Sequence, residues 1–261
     1  MMKLILTVLT ILILLLFAGL FFLALAGSHT ARKILQEKPV LRTAEEAEAR
    51  KEYCPLEEIS EKCRKVFVGT EDSRFYRHHG TDWNAVWMAM VHNLRTGFWT
   101  TEVHNGKKIR MVYGASTITN QLARNLFLNH ERSFRRKAAE FFVTREIEKQ
   151  LSKDRILALY LNVICYGDDC FGIRPAAMHY YRILPSELGI NQSASLQAIV
   201  KLPDSYHPLR NPKDFSDSRR FGLGSLAFNR VISEETKERL LKYPWDAADA
   251  PDMECLPETD A

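Results

Sequence analysis

This 261-residue chain lacks most of the signals that single out a specialised architecture. It contains no internal repeat and no low-complexity block, so a solenoid or an array is not indicated. Strand signals are scarce, which predicts a mainly α fold. Five cysteines are present, but no two form a C-x-x-C pair and no histidine pair completes them, which argues against a zinc ribbon. The formal net charge is only +4, and no nucleic-acid motif accompanies it, so no nucleic-acid partner is expected. A balance of this size suits anionic headgroups or a phosphorylated substrate, and equally an ordinary soluble protein.

At the N-terminus, residues 4–26 form an uncharged run of Leu, Ile and Phe, long enough at the helical rise to cross a bilayer. Two readings compete: a retained anchor, or a signal peptide cut after the small-x-small triplet Ala24-Leu25-Ala26. The run is longer than a signal core normally is, which favours the anchor. Charge does not fix its orientation, because Lys3 lies on one side while Arg32, Lys33 and Lys38 lie on the other. Behind it, residues 27–50 read as a polar stalk, 51–212 as one globular domain and 213–261 as a helical extension with a disordered Pro/Asp/Glu-rich end. Within the extension a helix is expected near Glu234 to Lys242. Cys54 with Cys63, and Cys165 with Cys170, are close enough in sequence either to form short disulfides or to be free buried thiols.

Four blocks carry candidate chemistry. The first is Glu71-Asp72-Ser73-Arg74-Phe75-Tyr76-Arg77-His78-His79-Gly80, which places acid and imidazole immediately after an apolar run. Gly114-Ala115-Ser116-Thr117-Ile118-Thr119-Asn120-Gln121 follows, with hydroxyls that either cap a helix or donate to a ligand. Next comes Arg136-Lys137-Ala138-Ala139-Glu140, whose three charges share one helix face with the base preceding the acid, the weaker order for a purely structural pair. The fourth runs from Lys153 to Asn162, with Ser152 as its N-cap. Between the first two blocks, Trp83, Val86, Trp87, Met90 and Val91 recur at helical spacing, which fits core packing or a surface that dips into a membrane interface. After them, Asn105-Gly106 predicts a two-residue hairpin turn.

In this order the blocks resemble the ED-x-x-F-x-x-H-x-G, G-x-S-T-x-T-Q-Q, RK-x-x-E and K-x-x-I-L-E-x-Y-L-N motifs of the family 51 glycosyltransferases. The similarity is to the monofunctional peptidoglycan transglycosylases and extends from about Pro55 to about Pro212. It implies a lysozyme-like helical domain with a smaller membrane-proximal lobe, and a single-pass protein of the bacterial cytoplasmic membrane whose catalytic domain lies outside the cytoplasm. The implied substrates are lipid II and the growing lipid-linked strand, joined by β-1,4 bonds with inversion and release of undecaprenyl diphosphate. Other wall-synthesis proteins are implied as partners.

The resemblance also assigns roles. Glu71 becomes the base, Asp72 its orienting partner and Glu140 the carboxylate beside the diphosphate, holding either a divalent cation such as Mg2+ or Mn2+ or the neighbouring basic side chains. Phe75, His78, Ser116, Thr117, Gln121, Arg124, Arg132, Arg136 and Lys137 are expected at the substrate, the arginines because guanidinium forks match paired phosphate oxygens. Gly80, Gly114, Tyr160 and Asn162 are expected to support the site. Departures from the family pattern stand at Asn120, Arg124, Ala158 and Ser193. S-x-x-K and K-T-G are missing, so no penicillin-sensitive transpeptidase domain is expected. Two other functions remain in view: a lytic glycosidase, which would need a general acid and no phosphate-binding arginines, and an inactive scaffold, suggested by the departures.

Overall fold

Helix caps are encoded throughout the chain, and the computed structural model uses them. It describes residues 2–96, 100–104, 107–111, 114–128, 131, 133–250 and 253–257. The apolar run forms the first part of α1 (Met2–Glu37). After it, among the described residues, come α2 (Val40–Glu48), α3 (Glu61–Glu71) and α4 (Trp83–Arg95), then α5 (Ile118–Leu126), α6 (Phe134–Gln150), α7 (Lys153–Val163) and α8 (Ile173–Tyr181). The last three are α9 (Ile190–Val200), α10 (Pro212–Phe228) and α11 (Glu234–Lys242), the last within the bounds read from sequence. Ser60, Asp82, Thr117, Ser133, Ser152 and Ser233 each accept a hydrogen bond from a first-turn amide of the helix they precede. Each cap contributes about 1 kcal/mol.

One antiparallel hairpin, β1 (Thr100–His104) with β2 (Lys107–Met111), lies between α4 and α5. His104 pairs with Lys107, the register a two-residue turn requires. The turn residues Asn105 and Gly106 lie outside the described residues.

The core is organised on α7, where every residue from Ile156 to Val163 is buried. A second cluster joins Val66 of α3, Ile190 and Ala194 of α9, Leu223 and Leu226 of α10, Leu240 of α11 and Met253. Three expectations change here. Residues 27–50 are not a free stalk: Ala31, Val40, Ala44 and Ala47 are buried in the main core. Gly27 lies so close to α6 that a Cβ there would come within 2.5 Å of the Ala138 Cβ. The acidic end, expected to be disordered, docks through Asp249, whose carboxylate accepts from the Ile190 and Asn191 amides at the start of α9, and through fully buried Met253. On α4, Trp83, Trp87, Met88 and Leu94 are exposed, so core packing does not account for its apolar residues. All five cysteines are free, and burial pushes the Cys63 thiol up to about 12.

Candidate active site

Glu71 is the last residue of α3, and the helix delivers its carboxylate between two amides. Gln121 Nε2 on α5 donates to Oε2 at 2.7 Å, and Gln197 Nε2 on α9 donates to Oε1 at 2.7 Å. Glu71 makes no ion pair among the described residues. The fully buried Tyr160 donates its hydroxyl to Gln121 Oε1 at 3.2 Å, which fixes that amide with its N–H toward Glu71. Burial holds the Tyr160 phenol well above its ordinary range, with Glu71 adding to the rise, so it remains a donor. Gln197 lies 126 residues beyond Glu71 and belongs to none of the four motif blocks. Nothing local in the sequence points to it.

Among the described residues Asp72 makes no hydrogen bond to Glu71. Its buried carboxylate instead contacts His78 Nε2 at 2.9 Å and accepts from the Ile118 amide at 3.1 Å, joining the end of α3 to the positive start of α5. Phe75 is fully buried against Tyr76 and His78, with Lys153 Nζ 4.4 Å from its ring centre, so it packs beneath the site rather than touching a substrate. Thr117 is buried as well. Its hydroxyl donates to the Gly80 carbonyl and accepts from the Asn120 backbone N–H, and Asn120 Oδ1 accepts in turn from the Thr117 backbone N–H. The asparagine that departs from the motif therefore closes a capping box.

Gly80 is required where it stands, with φ +91° and a Thr144 methyl 2.8 Å from where a Cβ would be. Gly114 is exposed, and a Cβ there would meet nothing. Asn162 brackets the Cys54 backbone with two 2.8 Å bonds and plays a packing part. Ala158 is buried in α7 and Ser193 in α9, so a glutamate at either would bury a charge in the core.

Around Glu140 the environment is cationic. The carboxylate is 1 % exposed; Arg136 Nη1 lies 2.6 Å from Oε2, and Lys137 Nζ bonds Oε1. Lys137 also donates to Ser116 Oγ at 3.2 Å, which ties this cluster to the residues leading into α5. Both carboxylates thus meet the 116–121 segment: Glu71 through Gln121, Glu140 through Lys137 and Ser116. Arg124, on α5, is half-buried and makes no ion pair among the described residues; its charge acts on Tyr160, which places it near the Glu71 end. Arg132 lies outside the described residues.

A divalent cation does not fit this donor set. Both Glu140 oxygens are taken by cations, and among the described residues no three His, Cys, Asp or Glu side chains group as ligands.

A helical domain that presents one carboxylate among neutral amides and, across the start of one helix, a carboxylate clamped by two cations suits glycosyl transfer from an anionic leaving group. The transglycosylase family model matches residues 37–227, and the chain belongs to that family. It is 38% identical over 202 residues to the biosynthetic peptidoglycan transglycosylase of Nitrosospira multiformis, covering 77% of this chain and 80% of that protein. Against the protein of the same name from Laribacter hongkongensis it is 38% identical over 178 residues, 68% and 73% of the two chains. Penicillin-binding protein 1F of Bacillus subtilis is 35% identical over 183 residues, which is 70% of this chain and 24% of that longer protein. The match begins within the segment read as a stalk, in keeping with the burial of Val40, Ala44 and Ala47.

Proposed function

We propose that this transglycosylase is a membrane-anchored peptidoglycan polymerase that joins lipid II to a lipid-linked glycan strand. Glu71 receives the proton of the 4-hydroxyl on the N-acetylglucosamine of lipid II. That oxygen bonds to the anomeric carbon of the strand's lipid-linked sugar from the face opposite the diphosphate. The carbon–oxygen bond to the diphosphate breaks, its electron pair leaves with undecaprenyl diphosphate, and the anomeric configuration inverts.

The contrast between the two carboxylates carries this reading. Glu71 accepts one amide N–H on each oxygen, which leaves lone pairs for an incoming hydroxyl, while Glu140 holds Arg136 and Lys137 where a leaving diphosphate needs positive charge. Ser116 and Arg124 extend that cationic, hydrogen-bonding wall. Height relative to the membrane agrees: Gly27, the first residue past the apolar run, abuts Ala138, one residue from Lys137. On this reading the Arg136-Lys137 turn of α6, proposed to hold the diphosphate, lies level with the point where α1 leaves the hydrocarbon. The exposed Trp83, Trp87, Met88 and Leu94 of α4 suit the same interface.

Incubating the full chain with labelled lipid II tests the proposal. Long glycan strands that disappear in Glu71→Gln support it. Release of muropeptides from finished wall, with lipid II left untouched, would make the protein a lytic glycosidase. Loss of neither substrate by a folded protein would leave a scaffold.

A further inference from the structure

Beyond the active site, the polar half of α1 and one face of α6 enclose a groove of about 400 Å3. This lies within the range of roughly 300–1,000 Å3 typical of small-ligand sites. Ala31 and Phe142 line its apolar part, and Arg32, Arg145, Lys149 and Glu146 supply its charges. Lys149 Nζ lies 3.2 Å from Glu146 Oε2, and the Gln150 amide also holds that carboxylate ionised, below its usual range. That pairing leaves Arg32 and Arg145 uncompensated. Among the described residues Arg32 makes no hydrogen bond or ion pair, and Arg145 makes none either, lying over the Phe141 ring.

The groove is separate from the substrate site. At 100° per residue, Arg145 and Lys149 point roughly 180° away from Arg136 and Glu140 around α6. Its depth is set by α1, one continuous helix from Met2 to Glu37. Arg32 follows the end of the apolar run at Ala26 by about 9 Å of helical rise. The headgroup layer on each side of the hydrocarbon is about 5–7 Å deep, and an arginine side chain reaches back across the difference.

We propose that this groove binds the phosphate of an anionic phospholipid from the leaflet into which α1 emerges, and so fixes the height and tilt of α6 over the membrane. The inference rests on α1 being a retained anchor. A lipid source is favoured over a free anion because Arg32 reaches headgroup depth beside apolar Ala31 and Phe142, against which a lipid glycerol can pack, while Arg145 and Lys149 continue the positive charge farther out along α6.

The test reconstitutes the full chain in vesicles of phosphatidylcholine alone and of phosphatidylcholine with phosphatidylglycerol. Flotation with the pure phosphatidylcholine vesicles checks the anchor separately; failure to float would remove the anchor and this site together. Gentle detergent extraction followed by native mass spectrometry then counts retained lipid. We expect phosphatidylglycerol to be retained over phosphatidylcholine. Retention should fall roughly tenfold in R32Q/R145Q/K149Q, given the attraction each surface cation exerts on an anionic leaflet. It should be unchanged in K213Q/R220Q/K242Q, which removes equal charge elsewhere. Helical circular dichroism confirms that each variant is folded. Equal retention of the two lipids, undiminished phosphatidylglycerol on the first variant, or displacement by inorganic phosphate would overturn the proposal.

Discussion

The two carboxylates that meet the 116–121 segment are treated in opposite ways. Glu71 is half-buried and is held only by neutral amides, from Gln121 and Gln197. Glu140 is buried and neutralised by Arg136 and Lys137. A carboxylate without a bound cation is free to take up a proton during turnover; one inside a buried cationic clamp is committed to positioning its partners. The same residue type thus serves proton transfer in one place and charge placement in the other, and its neighbours decide which.

Four substitutions can break or sharpen that contrast. Glu71→Gln keeps the shape and removes the proton acceptor, so lipid II polymerisation should fall by about 10²–10⁴, the range typical of a general base. Thermal stability should change little. Glu140→Gln should do the reverse in emphasis. It strands two cations, costs about 3 kcal/mol of stability by denaturant titration because Lys137 is half exposed, and raises KM for the lipid-linked substrate more than it lowers kcat. Similar kinetic signatures from the two glutamine variants would erase the distinction.

Smaller effects should come from the residue that the motifs do not contain. Gln197→Glu replaces a donor with a like charge 2.7 Å from Glu71, which favours the protonated base. The acid limb of the pH–rate profile should move to higher pH, and Gln197→Ala should move it less. An unchanged limb in both variants would mean that α9 does not act on the base.

The smallest effect on activity should come from Asp168, far from this contrast. Burial alone would raise its carboxyl, but hydrogen bonds from His207, Arg210 and His179 outweigh that and bring it to about 2. Because its folded value lies below the ordinary 3.8, its contribution to stability is complete above pH 4 and is lost as pH falls toward 2. Asp168→Asn should therefore lower the melting temperature at neutral pH, flatten the loss between pH 4 and 2, and leave polymerisation within about twofold, because Asp168 bonds His179, His207 and Arg210 and none of the residues that hold Glu71 or Glu140. Parallel acid-melting curves for the two proteins would contradict this.

What was legible in the sequence depended on distance along the chain. Glu71 stands out only through the ordered motifs that resemble the family, whereas the Arg136-Lys137-Glu140 face and the Ser152 cap follow from spacing within a turn or two of helix, where geometry is fixed locally. The hairpin register followed from Asn105-Gly106 for the same reason. Gln197 could not be read, because only tertiary packing of α9 on α3 brings it to Glu71. Phe75 and Thr117 stand in the motifs, which implies a place at the substrate, yet burial commits one ring to the core and one hydroxyl to a cap. Composition misled at both ends of the domain. Sparse buried alanines made residues 27–50 part of the core, and Asp249 with Met253 docked a tail whose acidic content suggested disorder.

The most direct measurement is the rate of lipid II polymerisation against pH, at saturating substrate, for the full chain and for Glu71→Gln. The native rate should fall on the acid side as the proton acceptor is titrated, and the variant should be slow and flat across the same range. A variant that keeps the acid limb, or runs within about tenfold of the native rate, would show that another group takes the proton.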